Sequence, residues 1–227
     1  MLNSEVMFTL HIINHKIEIT QSIVVQWIIM AVIILLTLVF VNNLKKVPDK
    51  KQSVIEMIVE FVNNLVSENM GDKYNNFVPF IGTMGIFLLF LNLSGLIGVD
   101  PSTEDINVTA GFAIISFFVI NGNAFAKVGV GGYIKELFHP SPIMFPMKLL
   151  EKVTLPISLC LRLFCNMLVG SIIIGLLYQL MNYLGHVFAI GVPIPLHFFF
   201  DMFDGIIQVY IFMMLTMLYT RMGAEVE

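Results

Sequence analysis

Residues 155–170 read LPISLCLRLFCNMLVG, an apolar helix-compatible stretch with a single cation, Arg162, near its middle. No other lysine or arginine lies between Lys152 and Arg221. On an insertion scale a cation at mid-bilayer costs roughly 2.5–3.5 kcal/mol, so an arginine kept there serves a function. Its guanidinium stays protonated at physiological pH and cannot itself relay a proton. A fixed charge in that setting suits an electrostatic gate facing a mobile carboxylate.

The surroundings of this stretch are membrane throughout. Of 227 residues, 57% are hydrophobic and 12% charged, with a mean hydropathy of +0.87. A soluble domain carries about 25% charged residues, so the chain is an integral membrane protein. Lys45, Lys46, Lys50 and Lys51 form a short cluster directly after an apolar run, which is no nucleic-acid patch, and no nucleic-acid partner is expected. Cys160 and Cys165 point about 140° apart on one helix, so they are packing residues and not a disulfide. His11, His15, His139, His186 and His197 show no metal-ligand spacing, and neither a metal nor a cofactor is expected. Gly129, Gly131 and Gly132 are followed by no Gly-Lys-Ser/Thr and do not form a phosphate loop. The first residues lack the basic start and small-residue cleavage site of a signal peptide, so they read as a retained segment.

The expected fold is all-α: one membrane domain over 1–227, with five membrane-crossing helices and an interfacial amphipathic helix. An outer N-terminal segment, 1–22, precedes a first span at 23–44, and Pro48 follows it. Over 52–69, Ile55, Ile58, Phe61, Val62 and Leu65 share one face while Glu56, Glu60, Asn63, Asn64 and Ser67 share the other. That pattern predicts a helix lying at the interface. Further spans are predicted at 77–98 and 108–126, with Asn92, Asn121 and Asn123 as interhelical hydrogen-bond partners. A Gly- and Pro-rich loop with a short helix comes next. The stretch 148–184 is helix-compatible for about 55 Å at 1.5 Å per residue, well beyond the bilayer core, so it must tilt. A turn with Gly185, Gly191, Pro193 and Pro195 leads to a second long helix, 196–222, and the two form a hairpin.

Lysine placement orients the chain. Four lysines follow the first span, and four more lie from Lys127 to Lys152. The loop after the second span holds Asp100, Glu104 and Asp105 and no base. This pattern places the N-terminus outside and the C-terminus in the cytoplasm. The chain has no apparent internal repeat, which disfavours a transporter built from duplicated halves.

Between Val153 and Thr220 the only formal charges are Arg162, Asp201 and Asp204. Ser158, Arg162 and Asn166 recur at helical spacing on one long helix; Asp201, Asp204, Gly205 and Gln208 do so on the other. Two such stripes on antiparallel neighbours make a polar seam within lipid. A plain Arg–Asp ion pair fastening the helices is the simpler alternative, but apolar packing would fasten them at less desolvation cost. By position, Asp201 and Asp204 lie near the outer face and Ser158 toward the inner one, with Arg162 between. That is the layout of two offset half-channels.

FPMKLLEKVTLPISLCLRLFCNMLVG at 145–170, followed by IIQVYIFMMLTMLY at 206–219, resembles subunit a of the bacterial rotary F-type ATP synthase. PSTEDINVT at 101–109 and NGNAFAKVGVGGYIKELFHPSPIMFP at 121–146 extend the resemblance over nearly the whole chain. It implies that Arg162 is the family's essential arginine, facing the ion-carrying carboxylate of the c-ring. Asn166 and Gln208 match its polar neighbours, and Asp201 stands where the family carries Glu or His. Two departures are evident. Ser171 stands nine residues after Arg162, where many members have Glu or His, and Cys165 replaces a usual Gly.

The resemblance further implies a non-catalytic stator in a bacterial plasma membrane, carrying H⁺ or Na⁺ between two half-channels and the c-ring. Its implied partners are the c-ring, the subunit b stalk and the remaining ATP synthase subunits, with the nucleotide chemistry on those partners. The implied ion-path residues are Arg162, Asn166, Gln208, Asp201, Asp204, Ser158 and Ser171. An independent secondary transporter or ion channel is the alternative reading, and a purely structural anchor a third.

Overall fold

Five helices in the computed structural model are long and apolar enough to cross a bilayer, which makes the chain a helical, multi-pass membrane protein. The structure describes residues 6–12, 15–41, 50–97, 101–138, 145–184, 195–196 and 198–223. The loop with Lys45, Lys46 and Pro48, the acidic Asp100, the hairpin turn with Gly185, Gly191 and Pro193, and the side chain of Asp201 lie outside the described residues.

Strands β1 (Val6–Ile12) and β2 (His15–Thr20) form an antiparallel hairpin with Leu10 opposite Ile17. The N-terminal segment, given no regular structure from sequence, is thus a β-ribbon attached to a helical body. Alternating Phe8-Thr9-Leu10-His11 and Lys16-Ile17-Glu18-Ile19 carry the period of two that a strand needs.

Helix α1 (Gln21–Val41) has no buried residue among those described, as expected of a helix whose main neighbour is lipid. Its first turn is tied to the body where Ser102 Oγ donates to the Ser22 carbonyl at 3.2 Å. Helix α2 (Lys50–Met70) buries Val62, Leu65, Val66 and Met70, while Met57, Ile58, Val59 and Phe61 stay exposed. Its buried stripe therefore covers only the C-terminal half, displaced from the face centred on Ile58 and Phe61. A 3₁₀ turn (Asp72–Phe77) leads into α3 (Val78–Leu93), where Pro79 occupies the first turn and costs no hydrogen bond there.

Helix α4 (Ile106–Phe138) is broken at Gly129, whose φ of 75° is a left-handed conformation that glycine adopts without a Cβ penalty. Helix α5 (Phe145–Leu184) is 40 residues long, about 60 Å at 1.5 Å per residue. Leu159, Leu163, Met167 and Ile174 form its buried stripe, packed largely against α4. Pro156 removes one rung of its backbone ladder without ending the helix. After π-helical turns at Phe198–Asp204, α6 (Gly205–Met222) packs chiefly on α3, then on α4 and α2. A Cβ at Gly85 would overlap the Met213 sulfur, so glycine there lets α3 and α6 close together.

The core is one cluster drawn from α2 to α6, with Leu88, Leu91, Leu163, Phe212 and Met217 almost wholly enclosed. At one end of the bundle two cations fasten separate elements. Arg221 Nη1 donates to the Asn69 carbonyl at 3.2 Å, and Lys127 Nζ stands 3.5 Å from the centroid of the Tyr74 ring.

Candidate functional site

The polar seam is centred on the crossing of α5 and α6. Asn166 Nδ2 donates to Gln208 Oε1 at 2.7 Å. Two closer-packed positions flank that bond: a Cβ on Gly205 would meet Met167 Cε at 3.7 Å, and one on Gly170 would meet Phe200 at 3.8 Å. Residue numbers rise on α5 as they fall toward α6's start, so the two helices run antiparallel. Extending this register sets Asp204 level with Leu168 and Asp201 level with Ser171.

Gln208 is 1% exposed, and its Nε2 has no hydrogen-bond partner among the described residues. A buried amide N–H left unpaired costs about 1–3 kcal/mol, so the site offers a donor to a water or an anionic group. Asn166 and Asp204 are half-buried beside it.

Arg162 faces the other way. One turn from Asn166, it is exposed on the outside of the bundle, between exposed Ile157, Leu161 and Val169. It has no hydrogen-bond or ion-pair partner among the described residues. Six residues separate it from the level of Asp204, about 9 Å along the helix. Asp204 therefore does not fasten it, and the guanidinium is presented to whatever lies against this face. Ser158 and Cys165 are exposed on the same side, so together with Arg162 they make three positions on successive turns of one outward strip. Ser171 is half-buried, and its hydroxyl donates to the Leu168 carbonyl at 3.3 Å.

The sequence-derived residues thus fall into two groups. Asn166 and Gln208 meet at the helix crossing, with half-buried Asp204 one turn before Gln208 and with Ser171 and the backbone of Asp201 a turn beyond. Arg162 and Ser158 point outward below it. Toward the start of α5 a cavity of about 190 Å³ opens between α4, α5 and α6, lined by Asn121, Lys148, Glu151, Lys152 and Tyr219. It extends to Leu155, one turn from Ser158.

One participant was not evident from sequence. Asn92 of α3 is wholly buried; its Nδ2 donates to the Gly205 carbonyl at 3.2 Å, and its Oδ1 accepts from Thr103 Oγ1 at 3.1 Å. It was expected as an interhelical bridge, but nothing in the spacing named its partner. The polar run Asp201–Gly205 holds the only hint, a glycine directly beside an acidic pair. Asn123 also bridges helices, donating to the Thr220 carbonyl at 3.1 Å, whereas Asn121 donates within α4 to Phe117.

Comparison with known proteins adds a family to this geometry. A family described as ATP synthase A chain matches residues 23–221. The chain is 32% identical over 219 residues to the sodium ion specific ATP synthase subunit a of Propionigenium modestum, covering 89% of this chain and 73% of that one. It is 32% identical to ATP synthase subunit a of Moorella thermoacetica, over 89% of this chain and 90% of the other. With ATP synthase subunit a 3 of Pelobacter propionicus the identity is 35%, over 88% and 85% of the two chains.

Proposed function

Because this chain belongs to the ATP synthase A chain family, and is a multi-pass membrane component of that complex, we propose that it is the stator against which ions reach and leave a rotating ring of carboxylates. The observation that carries this reading is Arg162, exposed on an apolar helix face and without a partner among the described residues. A cation that no described residue of its own chain neutralises, set among Ile157, Leu161 and Val169, calls for an anion on another subunit.

The chemistry follows from desolvation. A rotor carboxylate loaded with H⁺ or Na⁺ is neutral and passes through lipid at far lower cost than the bare anion. Unloaded opposite Arg162, it gains about 4 kcal/mol of Coulomb attraction at 4 Å and an effective dielectric of 20. That is enough to favour release without trapping the rotor. Because the guanidinium never deprotonates, the ion cannot pass directly along α5 from one side to the other.

Two half-channels reach the rotor at different depths. The outer one runs past Asp201 and Asp204 to the Asn166–Gln208 pair, whose free amide donor orients a water or the carboxylate itself. The inner one opens near Ser158, and the cavity between Lys148, Glu151 and Lys152 supplies water one turn away. The c-ring and the subunit b stalk are the partners in this reading, in a bacterial plasma membrane with the N-terminus outside. The chain itself performs no catalysis, and ATP formation takes place on the other subunits. The coupling ion is H⁺ or Na⁺; the name of the Propionigenium relative specifies sodium for that protein.

Replacing Arg162 tests the proposal. Arg162→Ala abolishes ion-driven ATP synthesis and ATP-driven ion pumping in vesicles of the assembled complex. Arg162→Lys is severely impaired, because a compact ammonium does not reproduce the broad planar charge. Near-normal coupled pumping by either variant refutes the gate. An independent transporter, in contrast, would move ions as the purified chain alone.

A further inference from the structure

The π-helical turns at Phe198–Asp204 change to regular α-helix at Gly205, and it is the Gly205 carbonyl that accepts from Asn92 Nδ2. We propose that Asn92 is a positioning residue that fixes where π turns into α, and thereby the turn on which Asp204 stands relative to Gln208. The inference rests on the reading of Asp201 and Asp204 as the outer ion path.

The helix arithmetic makes the location matter. A π turn holds one residue more than the α turn beside it, and such insertions occur mostly at functional sites. If the extra residue moved past Gly205, every side chain on one side of it would rotate by about 100° relative to the other side. Asp204 immediately precedes Gly205, and Gln208 follows it by one turn. A shift of the changeover would therefore rotate Asp204 relative to Gln208 while leaving the fold intact.

Asn92 is built to prevent this. It is wholly buried, and both ends of its amide are used: Nδ2 on the Gly205 carbonyl, Oδ1 on the Thr103 hydroxyl. Thr103 is itself wholly buried in the turn Ser102–Glu104. The neighbouring Ser102 is tied to the first turn of α1. Gly205 admits the close approach: a Cβ there would lie 3.2 Å from Asn92 Cβ, tighter than neighbouring side chains normally allow. A fully satisfied buried amide spanning two elements holds one geometry, since any slip leaves a donor or acceptor unpaired.

The test measures ion-driven ATP synthesis against coupling-ion concentration in vesicles of the assembled complex. Asn92→Ala raises the half-saturating ion concentration by roughly fivefold to tenfold, the factor expected of one buried hydrogen bond, with a smaller fall in the rate at saturating ion. Thr103→Val shifts it in the same direction by less, and Thr103→Ser restores the original value. Gly205→Ala reproduces the Asn92→Ala shift. A helix fastener alone would reduce the amount of assembled complex and leave half-saturation per complex unchanged, and that result overturns the inference. Arg162→Ala, run alongside, separates the two readings. If it pumps, the gate is wrong; if it does not and Asn92→Ala leaves half-saturation unmoved, only the positioning role is wrong.

Discussion

Asn166 Nδ2 donates to Gln208 Oε1 at 2.7 Å across the α5–α6 crossing, and the Gln208 amide nitrogen is left without a partner among the described residues. Removing either amide breaks the same bond, so their effects overlap. Asn166→Leu and Gln208→Leu should each slow coupled pumping, with Gln208→Leu the more severe because it also removes the free donor. The double variant should be no slower than Gln208→Leu alone, as expected for residues acting as a unit. Rates that multiply would show the two amides to act separately.

The outer acids make a second prediction. Asp201 and Asp204 are three residues apart in the π-helical turns, so each is expected to supply ions when the other is lost. A residue that only supplies ions limits the rate without uncoupling it. Asp201→Asn should therefore lower the rate in part, and Asp201→Asn with Asp204→Asn should cost more than the two singles combined. The ratio of ATP made to ions moved should stay constant. An unchanged rate for the double variant at limiting ion concentration would place the outer path elsewhere.

Orientation is tested by labelling from one side of the membrane. Ser102 lies in the acidic loop but is only 1% exposed, so the exposed Asn107 is the better probe. In a background lacking Cys160 and Cys165, a cysteine replacing Asn107 should react with an impermeant thiol reagent from outside. One replacing exposed Ser53 should react only from inside. The reverse pattern would exchange the two half-channels.

Helix packing gives a prediction independent of transport. Gly85→Ala puts a methyl group against the Met213 sulfur and should destabilise the complex by about 1–3 kcal/mol, the usual range for overpacking. Met213→Ala combined with it should recover part of that loss. Thermal unfolding in detergent, followed by loss of helical signal, measures both. An equally stable Gly85→Ala protein would mean that α3 and α6 are not in close contact.

The helical spans were legible because a bilayer imposes a length and a composition, and the chain between Gln21 and Met222 meets both five times. The polar residues stood out for a related reason, as charges such as Arg162 and Asp204 contrast with apolar neighbours; but of the stripe Ser158, Arg162 and Asn166 only Asn166 meets the other helix, at Gln208. The N-terminal ribbon was harder, since its alternation is short and lies next to a strongly apolar helix. Asn92 was expected to bridge helices and does, but its partner escaped because hydrogen-bond partners 113 residues apart leave no periodic trace. The outward direction of Arg162 was also beyond spacing alone. Helical period says which residues share a side, while only packing says whether that side meets protein or not.

The bond from Arg221 to the Asn69 carbonyl has a mechanical meaning. It joins the last turn of α6 to the last turn of α2, a helix about 31 Å long at 1.5 Å per residue. In the stator reading proposed above, a rotor driven past α5 and α6 would exert a sideways load on them, and lipid resists shear only weakly. Through Arg221 that load passes into a rod diverging from the bundle, with exposed Met57, Ile58 and Phe61 along its far half. Under that reading the lever arm would spread the reaction force over a wider footprint than the bundle alone, and the arginine at the end of α6 would serve as a brace against torque.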